Sequence, residues 1–185
     1  MQTQDLNSAL KKIVQMLSKH SVKFHLTGGL ASSFYGEPRF TQDIDLVVTF
    51  DLEFDLASLL SDLDEHYFID DQLIRESIQN RKMFQALDKE TMIKIDFHVG
   101  ELIDGELSRS RSEEIFKGIT APIVSIEDAI LAKLIWIQQG SHKSRQDVEL
   151  MLKLGRQIDW QYLERSALKF GVNEILTGLS GGEPR

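Results

Sequence analysis

Asp43 and Asp45 stand one residue apart at the head of a run of β-formers, Leu46-Val47-Val48-Thr49. Side chains alternate between the faces of a strand, so the two carboxylates point one way while Ile44, Leu46 and Val48 point the other. Neighbouring carboxylates repel and aspartate is a poor strand residue, so packing offers no reason for the pair. A divalent metal does, because hard cations such as Mg²⁺ take carboxylate oxygens. Upstream, a short strand over residues 22–26 ends in Thr27-Gly28-Gly29, and the chain then turns into a small-residue helix that reaches Tyr35. Glycine lets backbone N–H groups come close to an anion, and the start of a helix favours phosphate. A phosphate cradle and a metal-binding acid pair in one short unit imply a metal-bound nucleoside triphosphate.

A third acid has a comparable setting. Residues 83–87 and 92–99 read as two strands around an Asp88-Lys89-Glu90 turn, which makes them antiparallel. In the second, Ile93, Ile95, Phe97 and Val99 form an apolar face, and Lys94, Asp96 and His98 a polar one. Asp96 thus sits on the polar face in mid-strand, with Lys94 and His98 as bystanders. Arg39, in the approach to the Asp-x-Asp strand, is placed to meet a phosphate, to pair with Asp43 or to lie exposed in a loop. Lys133 is a cation in an otherwise apolar helical stretch, a setting in which a lysine can also lay its stem along apolar surface and reach water.

The Gly28-Gly29 pair followed by Asp43-x-Asp45 on a strand resembles the signature of the DNA polymerase β-like nucleotidyltransferase superfamily, and most of all its small prokaryotic members of minimal or toxin–antitoxin type. Arg39 and Thr41 match the basic residue and threonine that such proteins often carry ahead of this strand. Asp96 matches a third aspartate supplied by the strand beside Asp-x-Asp. The helix opened by Ser125-Ile-Glu-Asp128 and carrying Lys133, followed by Lys143-Ser-Arg145-Gln-Asp147, is also similar, although Gln146 stands where relatives often have lysine. The resemblance spans residues 20–155.

That resemblance implies an α/β nucleotidyltransferase fold, a mixed twisted sheet flanked by helices with a helical C-terminal part. It implies Asp43, Asp45 and Asp96 as catalytic residues and ligands of Mg²⁺ or Mn²⁺. Gly28, Gly29, Arg39 and Lys133 would bind the nucleotide, with the glycines cradling the β- and γ-phosphates. The implied reaction moves a nucleoside monophosphate from a triphosphate, with ATP as donor, to a protein hydroxyl, a tRNA end or a small molecule, and releases pyrophosphate. A cognate toxin or antitoxin is an implied partner. An alternative reading is a toxin–antitoxin component that mainly binds a nucleotide or partner, although all three aspartates are kept. Neither Gly-x-x-x-x-Gly-Lys-Ser/Thr nor Gly-x-Gly-x-x-Gly occurs, which sets aside the other common nucleotide-binding folds.

The rest of the chain must position these groups. Helices are predicted over 5–20, 51–63 with Asp51 as N-cap, 72–79 and 101–110, with one or two short extended pieces over 112–122. Ser125 opens a helix that reaches Gln139. Others follow over 142–154, ending at Gly155, from an Asp159 cap to Gly171, and over 172–179. The expected division is a core over 1–124, a helical part over 125–180 and a disordered tail over 181–185. The 185 residues contain no cysteine, which excludes disulfides and thiolate metal sites. A formal net charge of -8 argues against unspecific binding of long nucleic acid but not against one nucleotide. The N-terminal residues lack a basic region and an apolar run, and no apolar stretch is long enough to span a bilayer, so a cytoplasmic protein with no membrane partner is expected.

Overall fold

Leu6, Leu10, Ile13 and Leu17 recur at helical spacing and all are buried, so residues Gln2–Lys19 form helix α1 with this stripe turned inward. Strand β1 (Lys23–Leu26) leads through Thr27 into helix α2 (Gly28–Tyr35), and β2 (Asp43–Thr49) returns antiparallel to β1. Helix α3 (Leu56–His66), strand β3 (Tyr67–Phe68) and helix α4 (Asp71–Asn80) follow. Strands β4 (Met83–Asp88) and β5 (Lys94–Val99) make the expected antiparallel hairpin. Next come helix α5 (Glu106–Arg109) and a second hairpin, β6 (Arg111–Phe116) with β7 (Ile119–Ile123). Helices α6 (Ile126–Gln138), α7 (His142–Leu154), α8 (Trp160–Phe170) and α9 (Asn173–Leu179) end the fold. The computed structural model describes residues 2–39, 41–154 and 157–181. The helix end predicted at Gly155 and the tail from 182 onward lie outside the described residues.

Among the described residues the strands form one seven-stranded sheet in the order β3-β4-β5-β2-β1-β7-β6. The β2–β5 and β1–β7 pairs are parallel and the other pairs antiparallel, so the sheet is mixed. The fold is therefore α/β, as the sequence implied. β5 lies directly beside β2, which puts Asp96 one strand from Asp43. Ile130, Leu134, Val148, Met151 and Leu163 of the C-terminal helices join the same buried cluster as Leu26, Ile44 and Ile123 of the sheet. No described helix is long and apolar enough to cross a membrane.

Two elements differ from expectation, each for a local reason. The helix predicted from Asp51 starts only at Leu56, because Asp55 is the cap: its carboxylate accepts the Ser58 N–H at 3.1 Å. Residues 51–54 instead form a turn, with Phe54 N–H on Asp51 O at 3.1 Å, and Leu52 is fully exposed. The helix predicted over 101–110 shrinks to α5. Glu106 Oε1 accepts N–H groups from Leu102 and Ile103 at 2.6 and 3.3 Å, and Glu101 accepts those of Gly105 and Leu107 at 3.0 and 2.8 Å. Side chains thereby take amides that a helical ladder would have used.

Candidate active site

Because β2 and β5 run parallel in register, Asp43 stands opposite Lys94 and Asp45 opposite Asp96. The period-two alternation that separates acids from core on each strand therefore brings both polar faces together. Thr41 Oγ1 donates to Asp43 Oδ1 at 2.7 Å, and the Gly29 N–H donates to Asp45 Oδ2 at 3.2 Å. His98 Nε2 lies 3.8 Å from Asp45 Oδ1. Burial pushes the Asp45 carboxyl up, but His98, the Gly29 amide and the more distant Lys133 outweigh it and hold it below the usual carboxylate range.

The two glycines make room for these acids. Gly28 has φ +58, and a Cβ there would overlap the Asp45 carboxylate; a Cβ on Gly29 would sit 2.5 Å from Thr41 Oγ1. The start of α2, expected to face phosphate, thus also seats Asp45. Asp43, Asp45, Gly28, Gly29, Arg39 and Lys133 all line one cavity of about 270 Å³. Six of the seven residues singled out in the sequence are brought together there.

Asp96 is the seventh, and it is placed differently. It is 6% exposed and does not line that cavity. Its Oδ1 accepts from Gln85 Nε2 at 2.9 Å, and its Oδ2 accepts from Lys94 Nζ at 2.7 Å. Asp43 Oδ2, in contrast, has no hydrogen-bond partner among the described residues. Asp43 and Asp45 together fit a hard cation by donor type, with Asp43 Oδ2 as the uncommitted oxygen. Among the described residues, no group of three or more His, Cys, Asp or Glu side chains is arranged to hold a metal.

Arg39 and Lys133 line the same cavity, and both are held by one buried acid to which the sequence motif assigns no role. Asp147 on α7 is 4% exposed. Arg39 donates to it through Nε at 3.0 Å and Nη2 at 3.1 Å, Lys133 Nζ at 2.9 Å and Ser32 Oγ at 3.2 Å. Arg39 therefore pairs with Asp147 and not with Asp43. Burial raises the Asp147 carboxyl, yet Lys133 first and then Arg39 bring it below its ordinary value. A signal for Asp147 does exist: Ser144, Asp147, Val148 and Met151 are all buried on α7 at helical spacing, and an acid in such a stripe needs a cation. Two cations share this one carboxylate, and Lys143 also lines the cavity. Two acids and three cations therefore line one cavity.

A second cavity of about 240 Å³ adjoins the first and shares Thr27, His98, Ala132 and Trp136 with it. Three half-exposed apolar side chains line it: Met83 at 47%, Leu102 at 48% and Trp136 at 48%.

A family model described as nucleotidyl transferase AbiEii toxin, type IV toxin–antitoxin system, matches residues 12–158 of the chain. Solved structures share the fold at low sequence identity. An antigenic nucleotidyltransferase-like protein from Paracoccidioides brasiliensis aligns with TM-score 0.60 and 16% identity over 100% of this chain and 96% of its own. The antibiotic-resistance factor ANT(2'')-Ia aligns with TM-score 0.62 and 14% identity over 96% and 98%. The lincosamide antibiotic adenylyltransferase LnuA, in a lincomycin-bound structure, aligns with TM-score 0.51 and 14% identity over 77% and 94%. No curated protein matches the chain in sequence.

Proposed function

The chain belongs to the nucleotidyl transferase AbiEii toxin family, and we propose that it moves AMP from ATP to an acceptor hydroxyl, using Mg²⁺ or Mn²⁺ and releasing pyrophosphate. One observation carries this reading. Asp43, Asp45, Arg39 and Lys133 line a single cavity together with the Gly28–Gly29 turn. Such transfers need positioning and charge neutralisation more than covalent chemistry, and this cavity offers an acid pair for metal and a cation pair for phosphate.

In this reading Asp43 and Asp45 would hold the divalent ion, which when bound would neutralise charge on the triphosphate. Gly28 and Gly29 let the backbone approach the β- and γ-phosphates, and Arg39 and Lys133 receive the pyrophosphate end. The acceptor oxygen bonds to the α-phosphorus, the bond from that phosphorus to the bridging oxygen breaks, and pyrophosphate leaves toward the cations. Asp96 would take the hydroxyl proton on Oδ1 once Gln85 releases that oxygen; to serve as a third metal ligand it would have to exchange Lys94 for the ion. The acceptor would enter along the adjoining cavity, where Met83, Leu102 and Trp136 stand beside Arg81, Lys82 and Glu101, a lining with both apolar and charged groups for a hydroxylated acceptor. A cytoplasmic protein acting beside a cognate toxin–antitoxin partner fits the family.

The test is pyrophosphate release and ATP affinity in single variants. Asp43→Asn and Asp45→Asn are expected to weaken ATP–Mg²⁺ binding and to lower transfer by at least about a hundredfold, whereas Asp96→Asn removes transfer and leaves much of the binding. Unaltered turnover in all three would remove the enzyme reading.

A further inference from the structure

On the strand face that carries the acids, register alone sets four side chains in a square: Asp43 opposite Lys94, Asp45 opposite Asp96. Three carboxylates and one ammonium share this patch, and the ammonium belongs to the chain itself. Lys94 Nζ lies 2.7 Å from Asp96 Oδ2. Gln85, which faces Asp96 from β4, takes the other oxygen at 2.9 Å. Asp96 is thus closed off by two donors and nearly buried, while Asp43 and Asp45 remain open to the cavity.

This arrangement does not fit a second divalent ion beside Asp96. To reach that carboxylate the ion would have to displace Lys94, and the freed ammonium, on a stem rooted opposite Asp43, would remain among the same acids. Like charges would then crowd a partly dry patch, where their repulsion is weakly screened. A lysine there needs no ion from solution and offers a compact point charge on a flexible stem. Its side chain is 41% exposed and borders an open cavity next to Asp43, so the charge is accessible to a ligand.

We propose that Lys94 is a resident cation that takes the place of a second divalent ion beside Asp96, so that the chain binds a single divalent ion, at Asp43 and Asp45. The inference rests on the nucleotidyl-transfer reading and goes beyond it by assigning part of the charge neutralisation to a side chain. Lys94 keeps Asp96 neutralised whether or not metal is present.

The experiment counts Mn²⁺ bound per chain by titration calorimetry and electron paramagnetic resonance, with a non-hydrolysable ATP analogue present, in the wild type, Lys94→Arg, Lys94→Met and Lys94→Gln. One ion is expected in the wild type and Lys94→Arg, and two in Lys94→Met and Lys94→Gln. In metal-free buffer the two neutral variants should melt below the wild type, and millimolar Mg²⁺ should restore them by more than it raises the wild type. Transfer in the neutral variants should fall at least tenfold at low Mg²⁺, and its dependence on Mg²⁺ should change from first to second order. Two ions in the wild type, with one lost in Asp96→Asn, would overturn the proposal and leave nucleotidyl transfer standing. One ion in every variant would show that Lys94 does not keep a second ion out, and overturns it equally. Failure of the analogue and Mn²⁺ to bind at all, with Asp43→Asn no different, would instead defeat the functional reading on which the proposal rests.

Discussion

At the scale of single residues the site is a problem of space and charge. Gly28 combines φ +58 with a missing Cβ that would overlap Asp45. Gly28→Ala therefore carries both backbone strain and a displaced carboxylate, and is expected to lose about 1–2 kcal/mol of stability together with divalent-ion affinity. Gly178→Ala is the control, because nothing lies within 4 Å of a Cβ there and alanine suits a helix better than glycine. Thermal unfolding and Mn²⁺ titration of the two variants check this; equal behaviour would remove the steric account of the glycine turn.

Between elements, the tie that matters is the one joining α2, the loop before β2, α6 and α7 at Asp147. Ser32, Arg39 and Lys133 all meet there. Removing one partner from a buried pair leaves its counter-charges stranded, so Asp147→Asn is expected to cost about 3 kcal/mol at neutral pH. The carboxyl is held below its ordinary value in the fold, so its contribution is complete above the unfolded pKa near ~3.9 and is lost as pH falls through the lower folded value. Below about pH 4 the wild type should lose stability faster than Asp147→Asn, which denaturant melts across the acid range would show. This tie also marks where sequence reading stops. Asp43, Asp45 and Asp96 were legible because a period of two leaves acids as exceptions on apolar strands. Arg39 and Asp147 are 108 positions apart, and no local pattern announces a contact formed only when four elements meet. The Asp51 cap failed for a different reason: two aspartates stood within reach of the helix start, and the turn at Asp51–Phe54 left the role to Asp55. Over 101–110, the helical pattern could not reveal that Glu101 and Glu106 would use their carboxylates on backbone amides.

For the whole molecule, one buried cluster runs from the sheet into the C-terminal helices. Arg109 binds Asp128 at 2.8 Å, and Tyr162 O–H donates to the same carboxylate at 2.6 Å, fastening α8 across α6 to the segment before β6. A chain ending at residue 124 would expose the sheet face that these helices cover and lose both Lys133 and Asp147. It is expected not to fold, as far-ultraviolet circular dichroism and proteolysis would show, while the full chain unfolds in one transition. A truncated chain that melts cooperatively would mean that the helices are an accessory.

The placing of Asp147 also bears on how the products would leave. In the ligand-free protein its carboxylate already stands where Arg39 and Lys133 expect negative charge. In the proposed reaction a triphosphate arriving at those cations would enter by anion exchange, competing with an acid that is covalently present and cannot diffuse away. The same acid would be on hand when pyrophosphate dissociates, and would reclaim both cations at once. On that reading one side chain would weaken substrate capture and assist product escape, favouring turnover over tight retention.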